Sequence, residues 1–298
     1  MLLTRRRMLQ VSALTVAACT FRVALARPET KSLALALRKR FTEIESATGG
    51  RLGVAMLGTG NGFQADHRGN ELFPMCSTYK FLAVAALLAR VDKGRENIER
   101  RILFAAEDLV VYSPITKNHV GGDGMSLAEL CDAALTYSDN TAGNLLLAIL
   151  GGPSAVTAYA RSIGDTVSRL DRTEPELNEA APGDVRDTTS PQAMLVDLDA
   201  LLLGNALSNP SRKRLNSWLL ANKTGAGRLR AGVPDTWQVG DKTGAGERGT
   251  ANDIGILTPP GRDPILVTTF LTGATVSSNQ RYAVIASVAA AITASLTG

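Results

Sequence analysis

The segment from Cys76 to Val91 reads CSTYKFLAVAALLARV and joins a polar start to an apolar helix. From Phe81 to Val91 apolar residues occur nearly all round the predicted helix, which indicates that it is buried on every side. Ser77 and Lys80 stand three positions apart at its start, so both side chains lie on one face and the amine can reach the hydroxyl. A lysine that is buried there has a lowered pKa and can accept a proton.

Helical patterns continue after this segment, whereas both ends of the chain predict strands. An amphipathic helix over residues 31–47 leads into a strand at 51–57 and a glycine-rich turn at 58–62, which together indicate a hairpin. Three further helical patterns follow, at residues 126–135, 142–150 and 153–163. The chain closes with three short β-rich segments and an alanine-rich helix, at residues 236–243, 252–258, 265–272 and 276–296.

Strands at both ends around a helical middle predict an α+β fold, in which one antiparallel sheet with flanking helices is built from both chain ends around an inserted all-helical domain. We place an export signal at residues 1–26, an α/β domain at 27–70 and 221–298, and the helical domain at 71–220. Within the helical domain, residues 171–187 are polar, are punctuated by prolines and a glycine, and lack a sustained period. That pattern predicts a long structured loop, and loops of this length tend to be functional.

The composition is that of a globular protein, since 45% of the 298 residues are hydrophobic, 20% are charged and the net charge is +4. No basic stripe with interleaved aromatic residues occurs, so we expect no binding to nucleic acid. The two histidines, His67 and His119, lack metal-ligand spacing, and the sequence therefore argues against a zinc hydrolase. We expect no metal and no other cofactor.

Residues 1–26 predict an export signal. The segment TRRRMLQ at residues 4–10 is a basic start with a twin-arginine character, an apolar stretch follows, and Ala24-Leu25-Ala26 offers small residues for cleavage. The apolar stretch is shorter than the ~20 residues of a membrane-spanning helix, and no later segment predicts one. We therefore expect a periplasmic or secreted protein, exported by the twin-arginine route and cleaved after Ala26. Lipidation at Cys19 stays open as a second route, since residues 16–19 resemble a lipoprotein box.

Two cysteines, Cys76 and Cys131, follow the predicted signal. An oxidising compartment permits a disulfide between them, while two small buried hydrophobic residues are the simpler interpretation. Sequence alone does not decide between the two.

Two short motifs accompany Ser77-Thr78-Tyr79-Lys80. Ser138-Asp139-Asn140 stands between two helical patterns and offers a hydroxyl to relay protons and an amide to bind a carbonyl. Lys242-Thr243-Gly244 lies on a predicted strand, where Ala245 and Gly246 leave space for a ligand along the strand edge. The order S-x-x-K, S-D-N, K-T-G is the signature of serine enzymes that recognise penicillin.

With these motifs the sequence resembles class A β-lactamases over nearly the whole mature chain. The segment RTEPELN at residues 172–178 resembles the omega-loop motif of that family, and its flanks VYSP at 111–114 and DTT at 187–189 match as well. The resemblance implies hydrolysis of β-lactam antibiotics through a serine acyl-enzyme, which gives antibiotic resistance. It also implies a monomer whose substrates are penicillins and cephalosporins.

The resemblance assigns a role to each motif residue. Ser77 is the expected nucleophile, and the backbone N–H groups of Ser77 and Ala245 are the expected oxyanion hole. Ser138 is expected to pass a proton to the leaving nitrogen, in surroundings set by Lys80 and Lys242.

The loop motif carries the second half of the reaction. Glu174 is expected to activate the hydrolytic water, which it holds together with Asn178. The pairing of Arg172 with Asp187 is expected to close the loop, as a partly buried anchor in preference to a surface ion pair. Whether Lys80 or Glu174 is the base for acylation stays open.

The substrate carboxylate requires a cation. Many members of the family place an arginine on the strand after K-T-G, but residues 250–252 read TAN in this chain, and Arg228 matches the alternative position of other members. We expect Arg228 to bind the carboxylate together with Thr243 and Lys242, and Tyr112 to wall the entrance. The substrate-binding residues that the resemblance implies are Tyr112, Asn140, Asn178, Thr243, Gly244, Ala245 and Arg228.

Cys76 is a departure from the commonest pattern. Relatives with a cysteine here often pair it with one two residues past K-T-G, where this chain has Gly246. The position that would partner Cys131 in some relatives holds Val84. The resemblance therefore implies that the mature protein has no disulfide, and it disfavours strong carbapenem hydrolysis.

Two alternatives share the three motifs. A cell-wall D,D-peptidase is acylated by penicillin but would lack the loop with Glu174 and Asn178. A β-lactam sensor stays acylated and is normally tethered to a transmembrane segment, which the sequence does not predict.

Overall fold

The computed structural model describes residues 28–297. The export signal predicted at residues 1–26, with Cys19 and the cleavage site at Ala26, lies outside the described residues. The eight helices of the described chain are α1 (Pro28–Ser46), α2 (Tyr79–Asp92), α3 (Leu127–Thr136), α4 (Asn140–Leu150), α5 (Pro153–Ser162), α6 (Pro191–Leu202), α7 (Asn209–Leu220) and α8 (Ser278–Thr297). Its strands are β1 (Arg51–Gly58), β2 (Phe63–His67), β3 (Phe73–Pro74), β4 (Arg101–Ile102), β5 (Met125–Ser126), β6 (Thr188–Thr189), β7 (Gln238–Gly246), β8 (Thr250–Thr258) and β9 (Ile265–Thr272).

One five-stranded antiparallel sheet joins the two ends of the chain, in the order β2-β1-β9-β8-β7. The N-terminal strand β1 pairs with the C-terminal strand β9, with Arg51 opposite Thr272 and Gly58 opposite Ile265. Because β7 stands at the edge of the sheet, one of its sides is left without a neighbouring strand. The predicted α+β fold is thereby confirmed.

Both faces of the sheet are covered, and the side chains of β1 alternate between two apolar cores. Val54 and Met56 pack with α1 and α8, whereas Ala55 packs with the helical part of the chain. On that side α6 and α7 lie against the sheet and α2 runs through the core. Every residue of α2 from Tyr79 to Ala89 is buried, which explains why its apolar residues form no stripe.

Among the helices, α6 and α7 are the two that the sequence patterns above do not predict. Each begins with a serine cap followed by a proline in the first turn: the Ser190 side chain accepts the Ala193 N–H, and the Ser208 side chain accepts the Ser211 N–H. Serine before proline is a recognised helix start and was the available signal. The strand β7 is also longer than predicted, since it continues past Thr243 to Gly246.

No single helix among residues 28–297 is long and apolar enough to span a membrane. The pair α4 and α5, which meet at a 70° bend, reaches that length and composition only when taken together.

Candidate active site

The turn before α2 holds Ser77 in a fixed position. Ser77 lies in a single 3₁₀ turn, Cys76–Thr78, and Cys76 has a φ of 46°, a left-handed conformation that is strained for a residue with a side chain. The turn is held from β8, because the side-chain amide of Asn252 donates to the carbonyl oxygens of Pro74 and Met75 at 2.8 and 2.9 Å. The hydroxyl of the predicted nucleophile is therefore presented at the N-terminal end of a buried helix.

Lys80 lies one turn further along and meets four oxygen atoms. Its Nζ atom is 3.0 Å from Ser77 Oγ, 2.9 Å from Glu174 Oε1, 2.9 Å from the Ser138 carbonyl oxygen and 2.7 Å from Asn140 Oδ1. The side chain is fully buried. Burial lowers the pKa of the Lys80 amine, and the nearby Glu174 carboxylate opposes that effect.

Glu174 is brought to the nucleophile by the 171–187 loop. Its Oε1 atom accepts the Ser77 hydroxyl at 3.1 Å, and its Oε2 atom accepts the Asn178 side-chain amide. The side chain of Asn144 on α4 brackets the Glu174 backbone, with its Nδ2 atom 2.8 Å from the carbonyl oxygen and its Oδ1 atom 2.9 Å from the amide nitrogen. Asn144 was not predicted, although its position four residues after Asn140 puts both on one face of α4.

A partly buried ion pair closes the 171–187 loop at its base. Arg172 Nε lies 2.6 Å from Asp187 Oδ2, and the Asp187 side chain is 1% exposed. Asp187 Oδ1 also accepts the backbone N–H groups of Asp171 and Arg172 at 2.7 and 2.9 Å. The Met75 N–H in turn donates to the Asp187 carbonyl oxygen at 2.9 Å. The two ends of the loop are thus tied to each other and to the turn before Ser77.

Ser138 and Lys242 form a further pair of side chains in the same site. Lys242 Nζ donates to Ser138 Oγ at 2.8 Å and to the Thr243 carbonyl oxygen at 2.7 Å, and the side chain is fully buried. Burial, followed by the positive charges of Lys80 and Arg228, holds the pKa of Lys242 well below its usual value. Ser138 has a φ of 58°, so its backbone is strained, as is common for residues that a site holds in place.

A cavity of about 460 Å³ opens between these elements. It is lined by Ser77, Ser138 and all seven of the predicted substrate-binding residues, and Tyr112 is 56% exposed at its rim. Three lining residues were not predicted: Lys223, Thr224 and Tyr282. A larger cavity of about 680 Å³ is lined by residues 180–185 and the end of the sheet, and it holds none of the predicted site residues.

Arg228 reaches this cavity from the loop before β7. Its Nη1 atom donates to the carbonyl oxygens of Gly244 at 2.9 Å and Asn252 at 2.6 Å, and the residue is 4% exposed. Its guanidinium lies over the ring of Tyr282, 4.3 Å from the centroid. The structure therefore sets a cation beside β7 although β8 carries no arginine in residues 250–252.

Gly246 separates the nucleophile turn from the 171–187 loop. A Cβ atom at this position would lie 2.6 Å from Cys76 Sγ and 2.8 Å from the Asn178 carbonyl oxygen, both closer than van der Waals contact allows. Cys76 and Cys131 are buried and unbridged. Their side chains pack as small hydrophobic groups.

Comparisons with known proteins agree with this geometry. A family model described as "Beta-lactamase enzyme family" matches residues 36–296. The chain is 48% identical to Beta-lactamase OXY-2 of Klebsiella oxytoca over 261 residues, which cover 88% of the chain and 90% of that relative. It is 47% identical to Beta-lactamase CTX-M-8 of Citrobacter amalonaticus over 257 residues, which cover 86% of the chain and 88% of that relative.

Solved structures give the same result. The ancestral (GNCA) class A β-lactamase superimposes with a TM-score of 0.85 at 60% identity and covers 86% of this chain and 98% of its own. The putative class A β-lactamase PenP from Rhodopseudomonas palustris superimposes with a TM-score of 0.86 at 58% identity and covers 87% of this chain and 99% of its own.

Proposed function

This chain belongs to the class A serine β-lactamases, hydrolases that open β-lactam antibiotics and give resistance, and we propose that Ser77 is its nucleophile and Glu174 its deacylating base. The proposal rests on the position of the Ser77 hydroxyl oxygen, which has two bases within hydrogen-bond distance. Ser77 Oγ lies 3.0 Å from the Lys80 amine and 3.1 Å from the Glu174 carboxylate. A weakly acidic hydroxyl becomes nucleophilic when such a base stands within hydrogen-bond distance.

In acylation, Ser77 Oγ attacks the lactam carbonyl carbon while its proton moves to the pair formed by Lys80 and Glu174. Both groups are in reach, and the 2.9 Å contact between them lets the proton pass from one to the other. The tetrahedral intermediate collapses with cleavage of the carbon–nitrogen bond. The leaving nitrogen takes the hydroxyl proton of Ser138, whose Oγ accepts a hydrogen bond from Lys242 at 2.8 Å. The proton that Ser77 released to Lys80 and Glu174 then passes to Ser138 Oγ, so Ser138 is again a hydroxyl and Glu174 is again a carboxylate.

Charge on the carbonyl oxygen needs donors that are already in place. The backbone N–H groups of Ser77 and Ala245 are the proposed oxyanion hole, and both residues line the cavity. Ala245 lies on the edge strand β7, which has a side free of strand pairing. One such donor contributes ~3 kcal/mol in other hydrolases.

In deacylation, a water molecule held by Glu174 and Asn178 attacks the ester carbon. Glu174 takes a proton from the water, the ester carbon–oxygen bond breaks, and Ser77 Oγ recovers a proton as it leaves. The Asn178 amide donates to Glu174 Oε2, and the Arg172–Asp187 ion pair fixes the loop that carries both residues.

The substrate is oriented by groups along β7 and the rim. Arg228, Thr243 and Lys242 are proposed to bind the carboxylate of penicillins and cephalosporins. The amide of Asn140 is held by Lys80 on its oxygen side and donates to the Val111 carbonyl oxygen on its nitrogen side. The remaining groups of the proposed binding surface are Tyr112, Asn178, Gly244 and Ala245.

A D,D-peptidase or a β-lactam sensor is not favoured, because the relatives reported above carry β-lactamase names. Both would form a stable penicilloyl adduct instead of turning over.

Mass spectrometry of the intact protein tests the assignment of the nucleophile. Wild-type protein is expected to hydrolyse many equivalents of penicillin with little adduct. Ser77→Ala is expected to form none, while Thr78→Ala, the neighbouring hydroxyl residue whose Oγ1 donates to the Met75 carbonyl oxygen, keeps the ability to acylate. Labelling of Ser77→Ala at another residue would show that the nucleophile is wrongly assigned.

We also propose export to the periplasm or the medium by the twin-arginine route, on the basis of residues 4–26. Expression in a Gram-negative host and mass analysis of the mature protein distinguish cleavage after Ala26 from lipidation at Cys19. Replacement of Arg5, Arg6 and Arg7 with lysine is expected to retain the precursor in the cytoplasm; normal export of that variant would contradict the proposed route.

A further inference from the structure

Tyr282 lies in the second turn of α8 and faces the cavity that contains Ser77. Its ring covers the Arg228 guanidinium at 4.3 Å. The sheet holds the guanidinium as well, since Nη1 donates to one carbonyl oxygen of β7 and one of β8. Arg228 is therefore held at one edge by hydrogen bonds and on one face by an aromatic ring.

The charge of Arg228 is not neutralised by this arrangement. Among residues 28–297 no carboxylate forms an ion pair with Arg228, and its Nε atom is buried without a hydrogen-bond partner. Asp253 lies next to the segment that carries Arg228, where its carboxyl group accepts the Leu229 N–H at 3.1 Å. Burial, then the neighbouring Asp241, raises the pKa of Asp253 well above its usual value, while the charge of Arg228 acts against that shift.

An aromatic ring suits this position better than a carboxylate. A ring face attracts a guanidinium through its quadrupole and restricts its rotation, but leaves its full positive charge for an incoming anion. An aspartate or glutamate would hold the guanidinium as firmly and would cancel the charge that the substrate carboxylate needs.

We propose that Tyr282 is a positioning residue for substrate recognition, whose ring holds the Arg228 guanidinium in the orientation that binds the carboxylate of the β-lactam. The inference rests on the proposed role of Arg228. It predicts that Tyr282 acts on charged substrates through Arg228 and has little effect on the lactam chemistry itself.

The test compares kcat/KM for a penicillin with kcat/KM for its methyl ester, which keeps the lactam and lacks the negative charge. The ratio of the two values is independent of the folded fraction, because both substrates meet the same enzyme preparation. Four variants are compared with the wild type: Arg228→Ala, Tyr282→Leu, Tyr282→Phe and the double variant Arg228→Ala/Tyr282→Leu.

We expect Tyr282→Leu to lower the acid-to-ester ratio about tenfold, a size that corresponds to a partly desolvated cation–π contact, and to act on KM more than on kcat. Tyr282→Phe retains the ring and should keep the ratio within about twofold of wild type. In the double variant the ratio should equal that of Arg228→Ala, because residues that act through one another are not additive.

Equal losses on acid and ester in Tyr282→Leu would overturn the inference, since the ring would then support only the fold. Additive losses in the double variant would overturn it as well, because Tyr282 would act independently of Arg228. An unchanged ratio in Arg228→Ala would show that the proposed carboxylate site itself is wrong, and would remove the basis of the inference.

Discussion

Lys80 Nζ lies 2.9 Å from Glu174 Oε1, and neither side chain is exposed to solvent. The two charges come from distant parts of the chain, the start of α2 and the 171–187 loop, and meet beside Ser77 Oγ. A buried ion pair costs desolvation energy, and removal of one partner leaves the other charge uncompensated. The contact therefore links the placement of the loop to the protonation of the groups that we propose to activate Ser77.

The Arg172–Asp187 ion pair is expected to be the interaction that contributes most to the stability of the 171–187 loop. Arg172→Ala should lower the free energy of unfolding by about 3 kcal/mol, because it leaves the nearly inaccessible Asp187 carboxylate without its cation. Deacylation should slow as well, since the loop carries Glu174. Thermal unfolding measures the loss of stability, and the decay of the acyl-enzyme in mass spectrometry measures the rate of deacylation.

Arg186 is the matched control on the same loop, because its pairing with Asp184 involves a side chain that is 49% exposed. Arg186→Ala should cost under about 1 kcal/mol, as exposed pairs do. Equal losses in the two variants would show that Arg172 has no special role.

Gly246→Ala should disturb deacylation more than folding. The new Cβ atom would meet the Asn178 carbonyl oxygen at 2.8 Å and Cys76 Sγ at 2.6 Å, so the segment that holds Asn178 must move. We expect penicilloyl-enzyme to accumulate in stopped-flow mixing followed by mass analysis. Gly122→Ala, where a Cβ would meet nothing within 4 Å, should leave the rates unchanged; a rate loss of equal size there would refute the steric explanation.

Asp197, which lies outside the active site, is expected to make the free energy of unfolding depend on pH. It is fully buried on α6, and its carboxyl group lies against that of Asp165 without a hydrogen bond from any other described residue. Burial, then the neighbouring Asp165, holds the pKa of Asp197 well above its usual value, while Arg161 opposes this effect.

The native state therefore keeps a proton on Asp197 that the unfolded chain releases above its ordinary pKa of about 3.9. Since the native state binds more protons in that range, stability falls as pH rises from about 4 toward the raised pKa. Asp197→Asn has no proton to lose, so in urea unfolding it should exceed wild type at pH 8 and approach it at pH 4. Asp199→Asn, an exposed position on the same helix, serves as control. A gain that is independent of pH would contradict the prediction.

Much of the site could be predicted because its residues fall into short motifs with fixed local geometry. Ser77 and Lys80 are one helical turn apart, and Lys242, Thr243 and Gly244 follow one another on a strand. The paired α+β sheet followed from strand patterns at both ends of the chain.

The rest depends on contacts between distant segments. Tyr282 meets Arg228 only because α8 packs beside the loop before β7, and nothing in the local sequence marks it. In the sequence Asn144 is only a polar residue on a helix; its role becomes visible because the 171–187 loop lies against it in the structure. The extension of β7 to Gly246 likewise arises from pairing with β8, where Gly246 stands opposite Thr250, and not from the intrinsic preference of glycine.

Rapid mixing of penicillin with Glu174→Gln, followed by mass analysis of the intact protein, tests whether Glu174 is the base for deacylation. Glu176→Gln, an exposed position on the same loop, is the matched control and should turn over as the wild type does. We predict that Glu174→Gln acylates on Ser77 and that its deacylation slows by at least about 100-fold, the contribution of a general base. Wild-type turnover by Glu174→Gln without a trapped adduct would contradict it.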